Sequence, residues 1–402
     1  YSIIFLTLHY YLHKLNVYLT KKGSTMASII HHKRVEFTEL FYDLVFVYAI
    51  SKLTGLIHHL HYGVVPQEAI IVFLLSLLVL VNSWMIQMVF TNRFGKNSPL
   101  NMLVMFTNMG LLLYISNMIS TEWQDNYHAF CFAVGTLSFT LFLQYLIEYF
   151  RKGIAPETKQ SIRSFLWMTG LRTFAVYLAA LLPLEIGSPI YVAGVLITFI
   201  MPITQTRKGS HFSINLPHLI ERLSLLVIII FGEMIMGLTA FFTREMFSFQ
   251  SVCYFAIMAL LFLYYFGQFD HVIDETQEKN GIFIIYSHYP IFIGLIMITV
   301  SMSFLADSEV LHKFATNFLY TGVGLFLFGV LENGRFNKKQ YQFSESYYYT
   351  QKLIFVSGFT VSFFIAPTPT VISLVTAVTL LLLEAHFTYF YIKHTDEKIE
   401  FF

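Results

Sequence analysis

Apolar residues run along this chain in blocks of roughly 17 to 25, the length that lets a helix rising about 1.5 Å per residue cross the hydrocarbon core of a bilayer. Twelve such blocks follow one another, near residues 40–60, 69–90, 100–120, 126–150, 161–182, 188–204, 218–242, 248–270, 283–305, 312–332, 350–366 and 370–392. Lipid offers backbone groups no water, so the blocks are expected to be helices rather than open strands. The pattern predicts an all-α fold: a polytopic transmembrane helix bundle of about 12 spans.

The polar stretches between the blocks alternate in charge. One set of connections holds seventeen basic residues, beginning Lys33, Arg34, Arg93 and Lys96 and ending Lys393 and Lys398. The other set holds two, Arg244 and Lys313. Cytoplasmic loops carry the excess of Lys and Arg, so both termini are expected in the cytoplasm of a multi-pass protein of the cell membrane. A miscounted span would scramble the alternation, so count and orientation support each other.

The blocks also suggest a duplication. "ELFYDLVFVYAISKLTGL" (39–56) sits over "ERLSLLVIIIFGEMIMGL" (221–238) without a gap, so that Glu39 meets Glu221 and Gly55–Leu56 meets Gly237–Leu238. Gly110 and Glu148 meet Gly294 and Glu332 at nearly the same offset. The alternative is chance similarity between apolar helices. Duplication predicts two parallel six-helix repeats, 34–204 and 205–402, the second with a short cytoplasmic tail, related by an axis along the membrane normal. Residues 1–33 form an N-terminal segment whose first 25 residues read as an over-extended gene start, because Met26 opens "MASIIHHKRVEF". Intact mass of the native protein tests this; a recovered peptide from 16–21 would refute it.

Composition agrees with the pattern. The chain has 402 residues, 56% hydrophobic and 12% charged, against roughly 25% charged in soluble domains; the mean hydropathy is +0.63. A formal net charge of +1 leaves no basic domain for nucleic acid. Cys131 and Cys253 lie inside apolar blocks, far apart, and are expected to be reduced core residues with no disulfide or metal role.

An ionisable side chain at mid-bilayer costs at least ~2.5–3.5 kcal/mol, so those inside the blocks need a reason. In "KRVEFTELFYDLVFVYAIS" (33–51), Glu39 and Asp43 are one helical turn apart on one face. Lys52, Arg172, Glu221, Arg222, Glu233, His288 and Glu384 complete the set. Lys52 and Glu233 should lie at similar depth on equivalent helices, where an ion pair could form. The competing reading is structural: buried pairs that fix helix register, or tips that snorkel to headgroups. His58, His59 and His61 read as an exposed interfacial cluster. His288, two residues before Pro290, either donates to the carbonyl that the proline frees or lines a wet path. No phosphate-binding loop, nucleophile elbow or paired catalytic constellation is present. Neither enzymatic activity nor a cofactor is expected; the partners are the bilayer and a small solute or ion, with homo-oligomerisation left open.

Three stretches carry a family resemblance: "RVEFTELFYDLVFVYAISKL" (34–53), "ERLSLLVIIIFGEMIMGL" (221–238) and "YSHYPIFIGL" (286–295). In order and spacing they resemble the signatures of the bacterial low temperature requirement A family, over nearly all of 34–392. The resemblance makes Glu39, Asp43, Glu221, Arg222, Glu233 and His288 the polar motif positions, and it implies a need for the protein in the cold without a settled biochemistry. A weaker likeness links "FYDLVFVYA" (41–49) to the first helix of a potassium-channel family built from six-helix repeats, although Arg34 is displaced and Leu225 stands where the second acid should be. The leading expectation is a proton-coupled secondary transporter with Glu233 as the carboxylate carrier. A cation channel and a non-transporting factor for cold growth are the alternatives.

Overall fold

The structure is a computed structural model that describes residues 33–121, 123–207, 214–277, 281–366 and 368–395; side chains are described throughout these ranges except at Trp123 and 204–207. The segment expected to be an over-extended start lies outside them. Among the described residues there are twelve α-helices and no strand. They are α1 Phe37–Leu56, α2 Gln67–Phe94, α3 Pro99–Asn117, α4 Trp123–Phe150, α5 Pro156–Leu181 and α6 Leu184–Arg207, then α7 Leu216–Leu238, α8 Phe249–Phe266, α9 Ile282–Ala306, α10 His312–Glu332, α11 Glu345–Thr360 and α12 Pro369–His394. Each falls on one of the twelve apolar blocks.

Ten of these helices are long and apolar enough to cross a membrane. The other two are α1, which carries Glu39, Asp43 and Lys52, and α11, whose 16 residues give way to a π-turn at Val361–Ile365. Several helices start sharply because a side chain takes up an orphan backbone donor and a proline occupies the first turn. Ser98 caps α3, Asn215 caps α7 and Thr368 caps α12 in this way.

The connections collect at two ends. The loops after α8 and α10 are joined by Asp274 N–H to the Phe336 carbonyl at 2.8 Å and Lys338 N–H to the Val272 carbonyl at 2.9 Å. At the opposite end, the turn at Gly63 accepts from Leu311 N–H at 3.3 Å. Gly63 has φ +76° and backbone oxygen of Glu309 where a Cβ would stand, so only glycine fits there. Arg93, in the last turn of α2, and Lys96, Arg151, Arg335 and Lys338, in the connections, all sit at the first of these ends, which is called the basic end below.

Helix α2 runs through the centre of the bundle. From Val79 to Asn92 every residue is buried, which a helix achieves only with neighbours on all sides. Helix α1 packs on α2, α3 and α7, and α7 packs on α8, α9 and α1. Helices α9 and α10 approach each other closely: a Cβ on Gly294 would stand 2.5 Å from the Gly322 carbonyl oxygen and one on Gly322 would stand 2.9 Å from the Gly294 oxygen. Gly110, aligned with Gly294 in the sequence, has open space instead.

Candidate functional site

Near the basic end, α1 meets α7. The i, i+4 spacing puts Glu39 and Asp43 on the face of α1 that looks into the bundle, and both are buried. Arg222 of α7 enters between them. Its Nε donates to Asp43 Oδ2 at 3.0 Å and one terminal nitrogen to Asp43 Oδ1 at 2.7 Å, while the other terminal nitrogen donates to Glu39 Oε2. This is the planar two-pronged contact that a guanidinium offers a carboxylate, and an ammonium could not copy it. Trp84 of α2 completes Asp43, donating Nε1–H to Oδ1 at 2.6 Å. The indole ring also lies 5.5 Å from the guanidinium, close enough for a cation–π contact.

A second layer fixes the first. His218 Nε2 lies 3.0 Å from Glu39 Oε2, and its Nδ1 lies 3.1 Å from Asn92 Nδ2. The Asn92 amide is oriented by the backbone of Asn215: its Nδ2 donates to the Asn215 carbonyl at 2.9 Å and its Oδ1 accepts the Asn215 N–H at 2.9 Å. It therefore presents a donor to His218, and the imidazole must carry its proton on Nε2, toward the carboxylate. Asn215 is also the N-cap of α7, accepting from His218 N–H at 3.2 Å. Lys33 lies 3.9 Å from Glu39 and donates to the Thr91 carbonyl. Burial pushes its ammonium below the ordinary value, and the attraction of Glu39 opposes that.

The other expected residues are dispersed. Glu221 is exposed on the far side of α7 from Arg222. Glu233, half-buried, lies beside Ser51 of α1. Lys52 makes no ion pair with Glu233; its ammonium is exposed, 5.3 Å from the Tyr48 ring centroid. Successive helix positions differ by about 100°, so turning Ser51 toward Glu233 turns Lys52 away. His288 is buried: Nδ1–H donates to the Ile284 carbonyl at 2.6 Å and Nε2 accepts from the Tyr265 hydroxyl at 2.9 Å. It bonds the carbonyl of its own turn rather than that of Tyr286, the one Pro290 leaves free. On α12, Glu384 Oε1 accepts from Thr388 at 3.2 Å, while Oε2 is buried without a partner. His58, His59 and His61 are exposed, and among the described residues no group of three metal ligands is assembled.

Arg172 lies deep on α5 and is fully buried. It donates to Asn82 Oδ1 at 3.0 Å and Ser83 Oγ at 2.8 Å, while Thr198 Oγ1 donates to the same Asn82 oxygen at 2.7 Å. Beside it, a cavity of about 40 Å³ opens between helices of both sequence halves, lined by Asn82, Met85, Phe165, Met168 and Thr198 on one side and Ile285, Tyr286 and Tyr289 on the other. A separate cleft at the basic end reaches Glu36, Glu39, Asn97, Gln87 and Gln144; Gln87 Nε2 and both polar atoms of Gln144 are buried there without a partner.

Sequence reasoning missed Trp84, Asn92, His218 and the Asn82–Ser83–Thr198 group. The signal was present in "VNSWMIQMVFTN" (81–92), where Asn82, Gln87 and Asn92 interrupt an otherwise apolar block. It was also present in "NLPHLIER" (215–222), which opens α7 with a capping residue.

Long apolar helices enclosing buried ion pairs and buried polar groups define a polytopic α-helical membrane protein. Among curated proteins none matches the chain. The family pattern described as bacterial low temperature requirement A protein (LtrA) matches residues 34–385, and the chain belongs to that family.

Proposed function

We propose that this protein is a secondary transporter of the bacterial inner membrane, moving a small solute or ion with proton coupling and without catalysis. The reading takes all twelve helices as spans, with both termini in the cytoplasm, and divides them into two parallel six-helix repeats. Five packing pairs support the repeat: α1–α2, α1–α3, α2–α6, α3–α4 and α5–α6 recur as α7–α8, α7–α9, α8–α12, α9–α10 and α11–α12. The first helices of the two repeats, α1 and α7, then face each other near the axis.

The observation that carries the reading is the distribution of charge along that α1–α7 contact. At the basic end, Arg222 clamps Glu39 and Asp43 across the contact and closes it. Farther along, Glu233 lies beside Ser51, makes no ion pair among the described residues, and has open space beside Gly232. A carboxylate that is half-desolvated and lacks a countercharge suits proton exchange. An ionic clamp at one end suits a gate that opens when the two halves tilt. Asp43, which a channel would need at its mouth, has both oxygens bound to Arg222 and Trp84.

The test is flux in proteoliposomes under an imposed pH gradient. Saturable, gradient-driven uptake is expected for the natural protein. Glu233→Gln keeps the shape and should remain inserted but lose gradient dependence. In a deletion strain, the same variant should fail to restore growth in the cold. Full rescue at normal expression, or a current that does not saturate, would refute the assignment.

A further inference from the structure

Gln87 and Gln144 bring three polar atoms without partners to one cleft. Gln87 of α2 is 1% exposed and Gln144 of α4 is 3% exposed. Asn108 Nδ2 donates to Gln87 Oε1 at 3.1 Å, and Asn108 Oδ1 accepts from Thr140 at 2.5 Å. That chain holds the Gln87 amide and leaves its Nε2 free; both polar atoms of Gln144 are free as well. The two side chains line the cleft at the basic end. A buried amide without a partner is costly, so native proteins nearly always supply one, from protein or from ordered water.

We infer that this cleft is a hydration port: it holds one ordered water on Gln87 and Gln144 and brings it to the Glu39 side of the clamp. The space is about 10 Å³, and one water needs about 10–15 Å³ with two to four polar partners. Gln87 and Gln144 offer it two amide donors and an acceptor, and no larger solute fits. Glu39 lines the same cleft. Its Oε2 is taken by Arg222 and His218, while Oε1 has Lys33 at 3.9 Å, beyond hydrogen-bond reach. The exposed Lys96 and Asn97 also line the cleft, so the water exchanges with solution at the basic end. Asp43 does not line it, and its oxygens are held by Arg222 and Trp84. The two acids of the clamp are therefore unequal: Glu39 meets water and Asp43 is sealed. On the gate reading proposed above, that water gives Glu39 a partner when Arg222 leaves it, which lowers the cost of opening. The port itself stands whether or not the clamp is a gate.

Radiolytic hydroxyl-radical labelling of the full chain in nanodiscs tests it, because a buried side chain is oxidised where an ordered water generates the radical beside it. Met105 of α3 lines the cleft and is 3% exposed. It should be oxidised several-fold faster than Met234 and Met302, which are buried elsewhere in the bundle. Replacing both amides, Gln87→Leu with Gln144→Leu, removes the partners of the water and should bring Met105 down to the rate of those two. Met105 as silent as Met234 and Met302, or labelled just as fast in the double variant, would overturn the port. Because the double variant could fail to fold, a density map of the natural protein at a resolution that shows water gives an independent reading. A peak within hydrogen-bond distance of Gln87 Nε2 and the Gln144 amide supports the port, and an empty cleft in such a map would refute it.

Discussion

Arg222 holds the α1–α7 contact by a balance that depends on all its partners. A buried ion pair is a weak source of net stability but a costly thing to break, because the remaining charges are left in a medium that cannot solvate them. Arg222→Gln would leave Glu39 and Asp43 buried about one helical turn apart with no guanidinium between them, and should cost about 3–5 kcal/mol. Asp43→Asn in the same chain removes one stranded charge, so the double variant should be less damaged than the two losses summed. Unfolding of the four proteins in one detergent gives the coupling; additive losses would mean the groups do not act together. Glu39, Asp43 and Arg222 were legible in the sequence as polar positions in apolar blocks. Two arginines, Arg34 and Arg222, were open to them as partners; the choice was not legible, since alignment of the halves sets Glu39 over Glu221, and it is the next residue that reaches across. The Lys52–Glu233 pair failed for a related reason: equal depth follows from counting residues, whereas facing depends on rotation about the helix axis, which packing decides.

Helix α2 is where the networks converge. Trp84 bonds Asp43, Asn82 and Ser83 hold Arg172, Gln87 accepts from Asn108 at 3.1 Å, and Asn92 orients His218. Apolar runs made all twelve helices legible because bilayer thickness imposes their length. The central position of α2 was not legible, since a helix surrounded by protein and one facing lipid both read as apolar. Glycine shows the same limit. Gly110 and Gly294 align, yet only Gly294 is pressed against a neighbouring backbone. Gly294→Ala would put its Cβ 2.5 Å from the Gly322 oxygen and 2.7 Å from the Phe326 nitrogen. Those are backbone atoms that no rotamer change can move, so α9 and α10 must separate, at about 1–3 kcal/mol. Gly110→Ala meets nothing within 4 Å and should be neutral or stabilising by up to about 1 kcal/mol through helix propensity. Melting both variants beside the natural protein checks the contrast, and equal effects would refute the close crossing.

At the scale of the whole molecule, charge divides the bundle into unlike ends. Cations such as Arg93, Lys96, Arg151 and Lys338 share the end where Arg222 closes the α1–α7 contact, whereas the opposite end carries Arg244 and Lys313. If insertion follows the positive-inside rule, the basic end faces the cytoplasm and the clamp is a cytoplasmic one. The transport reading then acquires a direction: the conformation seen here is closed toward the cytoplasm, and Glu233 lies on the side of the clamp nearer the outside. Single cysteines test that orientation, since Cys131 and Cys253 are both buried and should stay silent. Cysteine at Asp125 or Ser308 should react with an impermeant maleimide added to intact spheroplasts, and cysteine at Lys152 or Lys339 should react only after the membrane is opened. All four residues are exposed, so a silent position would reflect the membrane rather than packing. The reverse pattern would place the Arg222 clamp on the outer face and make the gate an external one.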